Sequence, residues 1–446
     1  MRRRSLRGAD ADLPALIGQK VTMTTLMEPA PDFLFENVGS HGDLMPLISV
    51  AGELVRRGYR CQLLGNEHFR AAAAARGIGF FANTTARTHS AVPGSTVSYL
   101  YYKFDKCREY FARPRAFHPR TVVVSTHVFG AFEPLAEAHR LRTVRLYLFP
   151  VRLRSLIAPA WPLGARALGP NGEHFLKVVL PAMHRAADTH PAVLAKLNAV
   201  RAEVGLAPVQ SADYARDHVV REAAMFPEWF GMPPADWPLL DYLGFPLPHS
   251  EQPLPAGVRA FLAQHARPIV FTPGTGYGQP EHFFAAAAQC CEALGMPGIF
   301  LSPFLRSKPE QLGERIAHFE HVELEQLLPH ASLIVHHGGM GTTARALQAG
   351  IPQILSPVGF DQPDNGHRVE VLGAGRVVAR ETLSGATLSA AVRELVADGE
   401  IGARLSSYAS ALASPRAVER AADLLEDVTR NAPLLSRARS VLTANA

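Results

Sequence analysis

The densest chemistry in the protein lies in residues 332–352, SLIVHHGGMGTTARALQAGIP. An apolar strand ends at His336 and His337, a glycine-rich turn follows, and Gly341, Thr342 and Thr343 open a helix. Glycines such as Gly339 and Gly341 let a backbone approach a ligand closely, and the first amides of a helix lack intrahelical partners. Those donors, with a macrodipole of roughly +0.5 charge, make an anion site. Thr342 adds a hydroxyl, and His337 adds an imidazole able to donate to a phosphate oxygen. Adjacent histidines leave a strand on opposite faces, so a shared metal ion is not expected.

Three further segments carry weaker signals. In QILSPVGFDQPDNGHRV a strand runs into Asp361 and Gln362. A carboxylate beside an amide suits vicinal sugar hydroxyls, although such a pair can equally cap the next helix. FTPGTGYG, residues 271–278, is a strand entering a glycine-rich loop that misses the GxGxxG spacing. Thr275 there could reach a phosphate, and a plain tight turn explains the segment as well. Near the N-terminus, Gly39-Ser40-His41-Gly42-Asp43 follows the first apolar run. Asp43 is either a helix cap or a general base facing a cleft, with His41 next in line.

The elements that must position these residues alternate apolar strands with amphipathic helices from Asp32 onward, the pattern of a parallel α/β protein. PDFLFENVG, YRCQLLGN, RTVVVSTH and RTVRLYLF read as strands of a first half. SHGD reads as a turn before the helix MPLISVAGELVRRG, which stops at Gly58. After the proline-rich PLPHSEQPLPAG the alternation restarts with PIVFTPG, GIFLSP, HVEL, SLIVHH and PQILSP. The expected organisation is a flexible extension over 1–30, a first domain over 31–246, a linker over 247–257 and a second domain over 258–446. Both domains read as Rossmann-like, and ligands of such sheets sit at the carboxyl ends of the strands, here in the cleft between the halves.

Composition narrows the function classes. With 446 residues and 47% apolar content, the protein is long enough for two buried cores and too apolar for wholesale disorder. A net charge of +5 falls short of a nucleic-acid-binding face. The four cysteines show no CxxC spacing, which points to a reducing cytoplasm. No apolar run approaches the roughly 20 residues that span a bilayer. Asp10-Ala11-Asp12 mimics a metal-binding DxD but lacks a strand context, so it reads as chance.

These segments together resemble the family 1 glycosyltransferases, which have the GT-B fold, over almost all of the sequence after residue 31. The likeness is nearest to bacterial members with a GSxGDxxP start and an HHGGxGTT donor motif. These include the glycopeptide-antibiotic and sterol enzymes and the rhamnosyltransferases of rhamnolipid synthesis, whose FP-WF, DWP and TGFPL segments look like residues 225–247. The resemblance puts Asp43 at the catalytic base and His337 at the donor α-phosphate, with His336 beside it. Gly339, Gly341 and Thr342 fall on the phosphate turn, Asp361 and Gln362 on the sugar hydroxyls, and the Val322 backbone at the pyrimidine. Two positions depart from it: Arg345 stands where plant members have a ribose-binding Glu, and His321 where an aromatic stacks on the base.

The resemblance therefore implies an inverting transfer without metal or cofactor, with a nucleotide sugar bound by the second half and a lipophilic acceptor by the first. The expected donor is dTDP-L-rhamnose and the acceptor a 3-(3-hydroxyalkanoyloxy)alkanoate. A UDP-sugar glucosyltransferase for a sterol or polyketide is the alternative. Tyr101, in the aromatic run 99–104, and the loop LIAPAWPL suggest an apolar acceptor pocket. Arg152 and Arg154 could hold an acceptor carboxylate, or belong to a solvated loop. A peripheral contact with a membrane or with an acceptor-synthesising partner fits such an acceptor. An epimerase or a silent nucleotide-binding subunit are rivals that donor turnover without acceptor would separate.

Overall fold

The computed structural model describes residues 30–37, 39, 41–84, 110, 118, 120–126, 133–153, 155, 178, 182, 185–186, 188–214, 219–250, 252–274, 280–303, 313–414 and 416–431. Strands β1 (Phe33–Glu36), β2 (Cys61–Asn66), β3 (Gly79–Thr84), β4 (Val122–Ser125), β5 (Arg142–Tyr147), β6 (Val219–Ala224) and β7 (Asp241–Tyr242) form one sheet. Strands β8 (Ile269–Thr272), β9 (Gly298–Leu301), β10 (Ile316–Phe319), β11 (Leu333–His336), β12 (Gln353–Leu355) and β13 (Gly375–Val377) form the other. Their orders are β3-β2-β1-β4-β5-β6-β7 and β10-β9-β8-β11-β12-β13, parallel throughout. β1, β2, β4, β5, β9 and β11 are buried along their whole length. That burial explains why they read as continuous apolar runs, since parallel strands are covered on both faces.

Each sheet starts at its middle, adds strands to one side, then returns to add the rest on the other. The crossovers on either side of the first strand diverge, and a crevice opens at the carboxyl ends where the order reverses. In the first sheet that switch lies between β1 and β4, and in the second between β8 and β11. The segments after β1, β8 and β11 are the three glycine-bearing motifs of the sequence.

Four helices matter for the site: α1 (His41–Arg56), α2 (Met340–Ala349), α3 (Gln362–Val371) and α4 (Ala417–Asn431). α1 begins at His41, so most of SHGD is helix rather than turn, and Asp43 lies in its first turn instead of capping it. HVEL is not a strand. The strand of that region is Ile316–Phe319, and HVEL is the connection running into the short helix at Leu324. Val322 is buried there among Val270, Ile299 and Leu301, which supplies the apolar signal without strand pairing.

α4 packs back on α1 of the first half, burying Ala421, Leu424, Leu425 and Val428 along one face. Arg57 of the first half pairs with Asp423 at 2.7 Å and Glu426 at 3.4 Å. Arg142, buried at the start of β5, donates Nη1 to the carbonyls of Val428 at 2.5 Å and Thr429 at 3.1 Å. Carbonyls at a helix end lack intrahelical donors, so a buried guanidinium fixes the docked helix. Among the described residues no helix is long and apolar enough to cross a membrane.

Arg142→Ala removes those bonds and leaves a cavity beside the helix end. It should lower unfolding stability by about 1–3 kcal/mol. Hydrogen exchange should speed up selectively in residues 417–431. Uniform acceleration over both sheets would mean that Arg142 serves the first core instead of the returning helix.

Candidate functional site

α2 opens directly after β11, and its N-cap is Gly339, which has no side chain to bond the first-turn amides. They remain available to a ligand, as an anion site requires. Gly341 is exposed and Thr342 half-buried in this first turn. His337 stands beside the turn, with its ring between two glycines. A Cβ on Gly274 would lie 2.6 Å from Nδ1, and one on Gly339 2.5 Å from Nε2. Only glycine fits either place, and Gly274 also has φ +78°. Burial pushes the His337 pKa down to about 4, so the ring is neutral at pH 7 and acts as a hydrogen-bonding group rather than a cation.

His336, expected beside the donor, turns the other way. It is fully buried, its Nε2 lies 3.0 Å from Gln353 Oε1, and its Nδ1 accepts from the Gly338 amide at 3.1 Å. That acceptance places the ring proton on Nε2, facing the Gln353 oxygen. Burial, then His337, lowers its pKa to about 3. His336 shapes the turn and does not reach a ligand, as alternation along a strand requires.

Asp361 precedes α3 without capping it. Its Oδ2 accepts instead from the Asn365 amide at 2.7 Å. Gln362 spends its carbonyl on the loop, accepting from the amides of Val358 at 2.8 Å and Gly359 at 3.3 Å. The Asp361 pKa is pushed up to about 6, first by burial and then by the Asp43 carboxylate; Asn365 and Arg152 pull it down. Asp43 and Arg152 belong to the first half. Carboxyl-end loops of the two sheets therefore approach each other, with Asp43 and Asp361 close enough to repel.

Asp43 is half-buried and folds back over Gly39, where any Cβ would overlap its carboxylate. The preceding turn is pinned by Asn37, which accepts from the Gly39 amide at 2.6 Å and donates to Thr126 beyond β4 at 2.7 Å. His41 is exposed on the first-half rim, edge-on to Phe69 at 4.8 Å and His68 at 5.4 Å. Arg152 follows β5 and lies over the Phe149 ring at 5.2 Å. Val322 gives its side chain to the core. Thr275, Tyr101 and Arg154 fall outside the described residues.

The departure at Arg345 has a structural reason. Its guanidinium bonds the Pro248 carbonyl and Gln348 Oε1, and lies 3.7 Å from Glu325. Arg345 holds the interdomain linker. His321 is exposed and bonds Glu323 at 3.2 Å. The residues missed from sequence are Asn365, Asn37 and the clamping glycines Gly39 and Gly274. Asn365 was findable: it lies four residues after Asp361, one helical turn on.

Residues 303–426 match the profile of the family described as Erythromycin biosynthesis protein CIII-like, C-terminal domain. Among curated relatives, O-mycaminosyltylonolide 6-deoxyallosyltransferase of Streptomyces fradiae is 40% identical over 102 residues, 23% of this chain and 24% of that protein. Glycosyltransferase GtfC of Amycolatopsis orientalis is 30% identical over 244 residues, 52% of this chain and 57% of that protein. The chain thus spans less than two thirds of either relative. Among solved structures, the calicheamicin glycosyltransferase CalG4 superposes with a TM-score of 0.67 at 22% identity, covering 91% of this chain and all of that one. The kitacinnamycin glycosyltransferase gives 0.67 at 21% identity, over 90% and 99% of the two chains. The fold is the GT-B fold: two Rossmann-like domains facing across a cleft.

The raised Asp361 pKa has a stability consequence. A carboxyl at about 6 when folded and 3.8 when unfolded binds its proton more tightly in the native state. Its contribution is complete below pH 3.8 and is lost as pH rises through 6. Asp361→Asn should therefore melt close to wild type near pH 4 and above it at pH 7.5. A melting difference that is flat with pH would refute the burial-and-repulsion account.

Proposed function

We propose that the protein is an inverting glycosyltransferase, moving a sugar from a nucleoside diphosphate onto the hydroxyl of an apolar acceptor without a metal ion. One observation carries this reading: Asp43, at the switch point of the first sheet, lies within electrostatic reach of Asp361 on the loop after β12, in the same half as the helix terminus at Gly339. A diphosphate seated on the first turn of α2 and on His337 directs its sugar toward Asp361, which accepts from sugar hydroxyls. Asp43 then lies on the opposite side, where an acceptor hydroxyl must lose its proton. The proton passes to Asp43, the acceptor oxygen bonds the anomeric carbon from the face opposite the leaving group, and the glycosidic bond to phosphate breaks. Charge grows on the departing diphosphate, where oriented amides stabilise it most. A neutral His337 can donate one hydrogen bond there.

The nucleotide that fits best is a thymidine diphosphate. Arg345, engaged with the linker, offers no carboxylate to a ribose, and a deoxyribose has one hydroxyl fewer to satisfy. The fold neighbours include glycosyltransferase VinC in complex with dTDP and spinosyn rhamnosyltransferase SpnG with thymidine diphosphate. For the acceptor, the partial relatives and the neighbour SpnG with spinosyn aglycone favour a polyketide-like aglycone. The hydroxyalkanoate acceptor of rhamnolipid synthesis rests on the sequence resemblance alone.

Asp43→Asn keeps size and hydrogen bonding but cannot accept the proton. Single-turnover transfer to a macrolide aglycone should fall by roughly 10²- to 10⁴-fold. Calorimetric affinity for dTDP should stay at the wild-type value. Near-normal transfer would remove Asp43 as the base. Separately, UDP binding tenfold tighter than dTDP in the wild type would overturn the nucleotide assignment, and donor turnover without acceptor would favour an epimerase.

A further inference from the structure

Asn365 lies inside the second half with its carboxamide fully buried. Its Nδ2 donates two hydrogen bonds, to the Gly338 carbonyl at 2.9 Å and to Asp361 Oδ2 at 2.7 Å. Gly338 belongs to the phosphate turn after β11, and Asp361 to the loop after β12. One amide group therefore spans the two loops that would hold the two ends of a sugar nucleotide.

Each bond fixes something different. A trans peptide is planar, with its C=O and N–H pointing in opposite directions. Drawing the Gly338 carbonyl inward onto Asn365 therefore aims the Gly339 N–H outward from it, at the N-cap of α2. The turn adopts φ +93° at Gly338, where a Cβ would press on Gln362, so no side chain could substitute for this tether. The second bond holds the Asp361 carboxylate in one rotamer and favours its charged, acceptor-only form against burial and against Asp43.

We propose that Asn365 is a positioning residue that locks the diphosphate turn to the sugar-binding carboxylate, so that the two ends of the donor are recognised as one rigid unit. This rests on the glycosyltransferase reading. It adds that sugar recognition and phosphate recognition are coupled through a side chain that contacts neither.

The test compares the full-length protein with Asn365→Ala and Asn365→Asp, the second nearly isosteric and safer for folding. Calorimetry with dTDP and with dTDP-glucose, plus the pH profile of kcat/KM, supplies the readouts. The groups facing Asp361 are Asp43 from α1, Arg152 from the turn after β5, and Asn365 itself. Asn365→Ala should weaken dTDP-glucose by about tenfold or more, the scale of a hydrogen bond to a charged group. It should weaken dTDP only about two- to threefold, because His337 and the remaining amides stay. The acid limb of the profile should move to higher pH, and further still in Asn365→Asp, where a second carboxylate meets Asp361. Equal weakening of dTDP and dTDP-glucose with an unmoved acid limb would overturn the proposal and leave Asn365 a packing residue. Should wild type bind neither these ligands nor UDP and UDP-glucose, the underlying glycosyltransferase reading fails, independently of Asn365.

Discussion

The reversal of strand order in each sheet is the constraint from which the site follows. A parallel sheet must be covered on both faces, and its crossovers are right-handed, so connections that leave the starting strand toward opposite edges diverge. A crevice opens between them, and the backbone amides that border it lie beyond the strand ladder. β1 and β8 are the two starting strands. The turns that follow β1, β8 and β11 supply Asp43, Gly274 and His337. Motifs more than 200 residues apart in sequence are brought to one cleft because both sheets place their openings at the carboxyl ends of the strands.

Electrostatics then distinguishes the two sides of that cleft. On the second-half side two groups are moved from their usual values: His337 falls to about 4 and Asp361 rises to about 6. Both shifts come first from burial, and both are of the kind that a bound polar ligand would relieve. A phosphate next to His337 would favour its protonated form, and hydroxyls donating to Asp361 would favour its charged form. The adjoining His336 is fully buried and has both ring nitrogens engaged, which separates a group that shapes the turn from the partly exposed His337.

Much of this is legible in the sequence. The apolar runs ending in glycine-rich turns give the strand-to-helix junctions, because buried parallel strands have no polar face to blur the pattern. The two-domain division and the placing of Asp43, His337 and Asp361 at strand ends follow from the same runs. Three kinds of feature are not legible. HVEL looks like a strand because Val322 is a core residue, and burial does not reveal hydrogen-bond pairing. His336 and His337 look equivalent in sequence, and only the pleat direction separates them. The bonds of Asn365 and the overlap of Gly39 with Asp43 depend on tertiary approach, which no local spacing encodes, although the four-residue step from Asp361 to Asn365 hints at one of them.

The way the halves are joined sets how the cleft can work. α4 leaves the second sheet and docks on α1, while Arg345 and Glu325 hold the linker at Pro248, His249 and Ser250. Arg368, one turn beyond Asn365 on α3, pairs with Asp364 at 2.8 Å and donates to the carbonyls of Phe230 and Gly231. The helix that follows Asp361 is thus anchored in its last turn to first-half backbone. A rotation of one half against the other would pivot about these contacts. Small changes at the pivot would alter the separation of Asp43 and Asp361 more than they alter either half internally. The distance between Asp43 and Asp361 is then a property of the joint, whereas the turn at His337, set by Gly274, Gly339 and the Asn365 bond to Gly338, is a property of the second half alone.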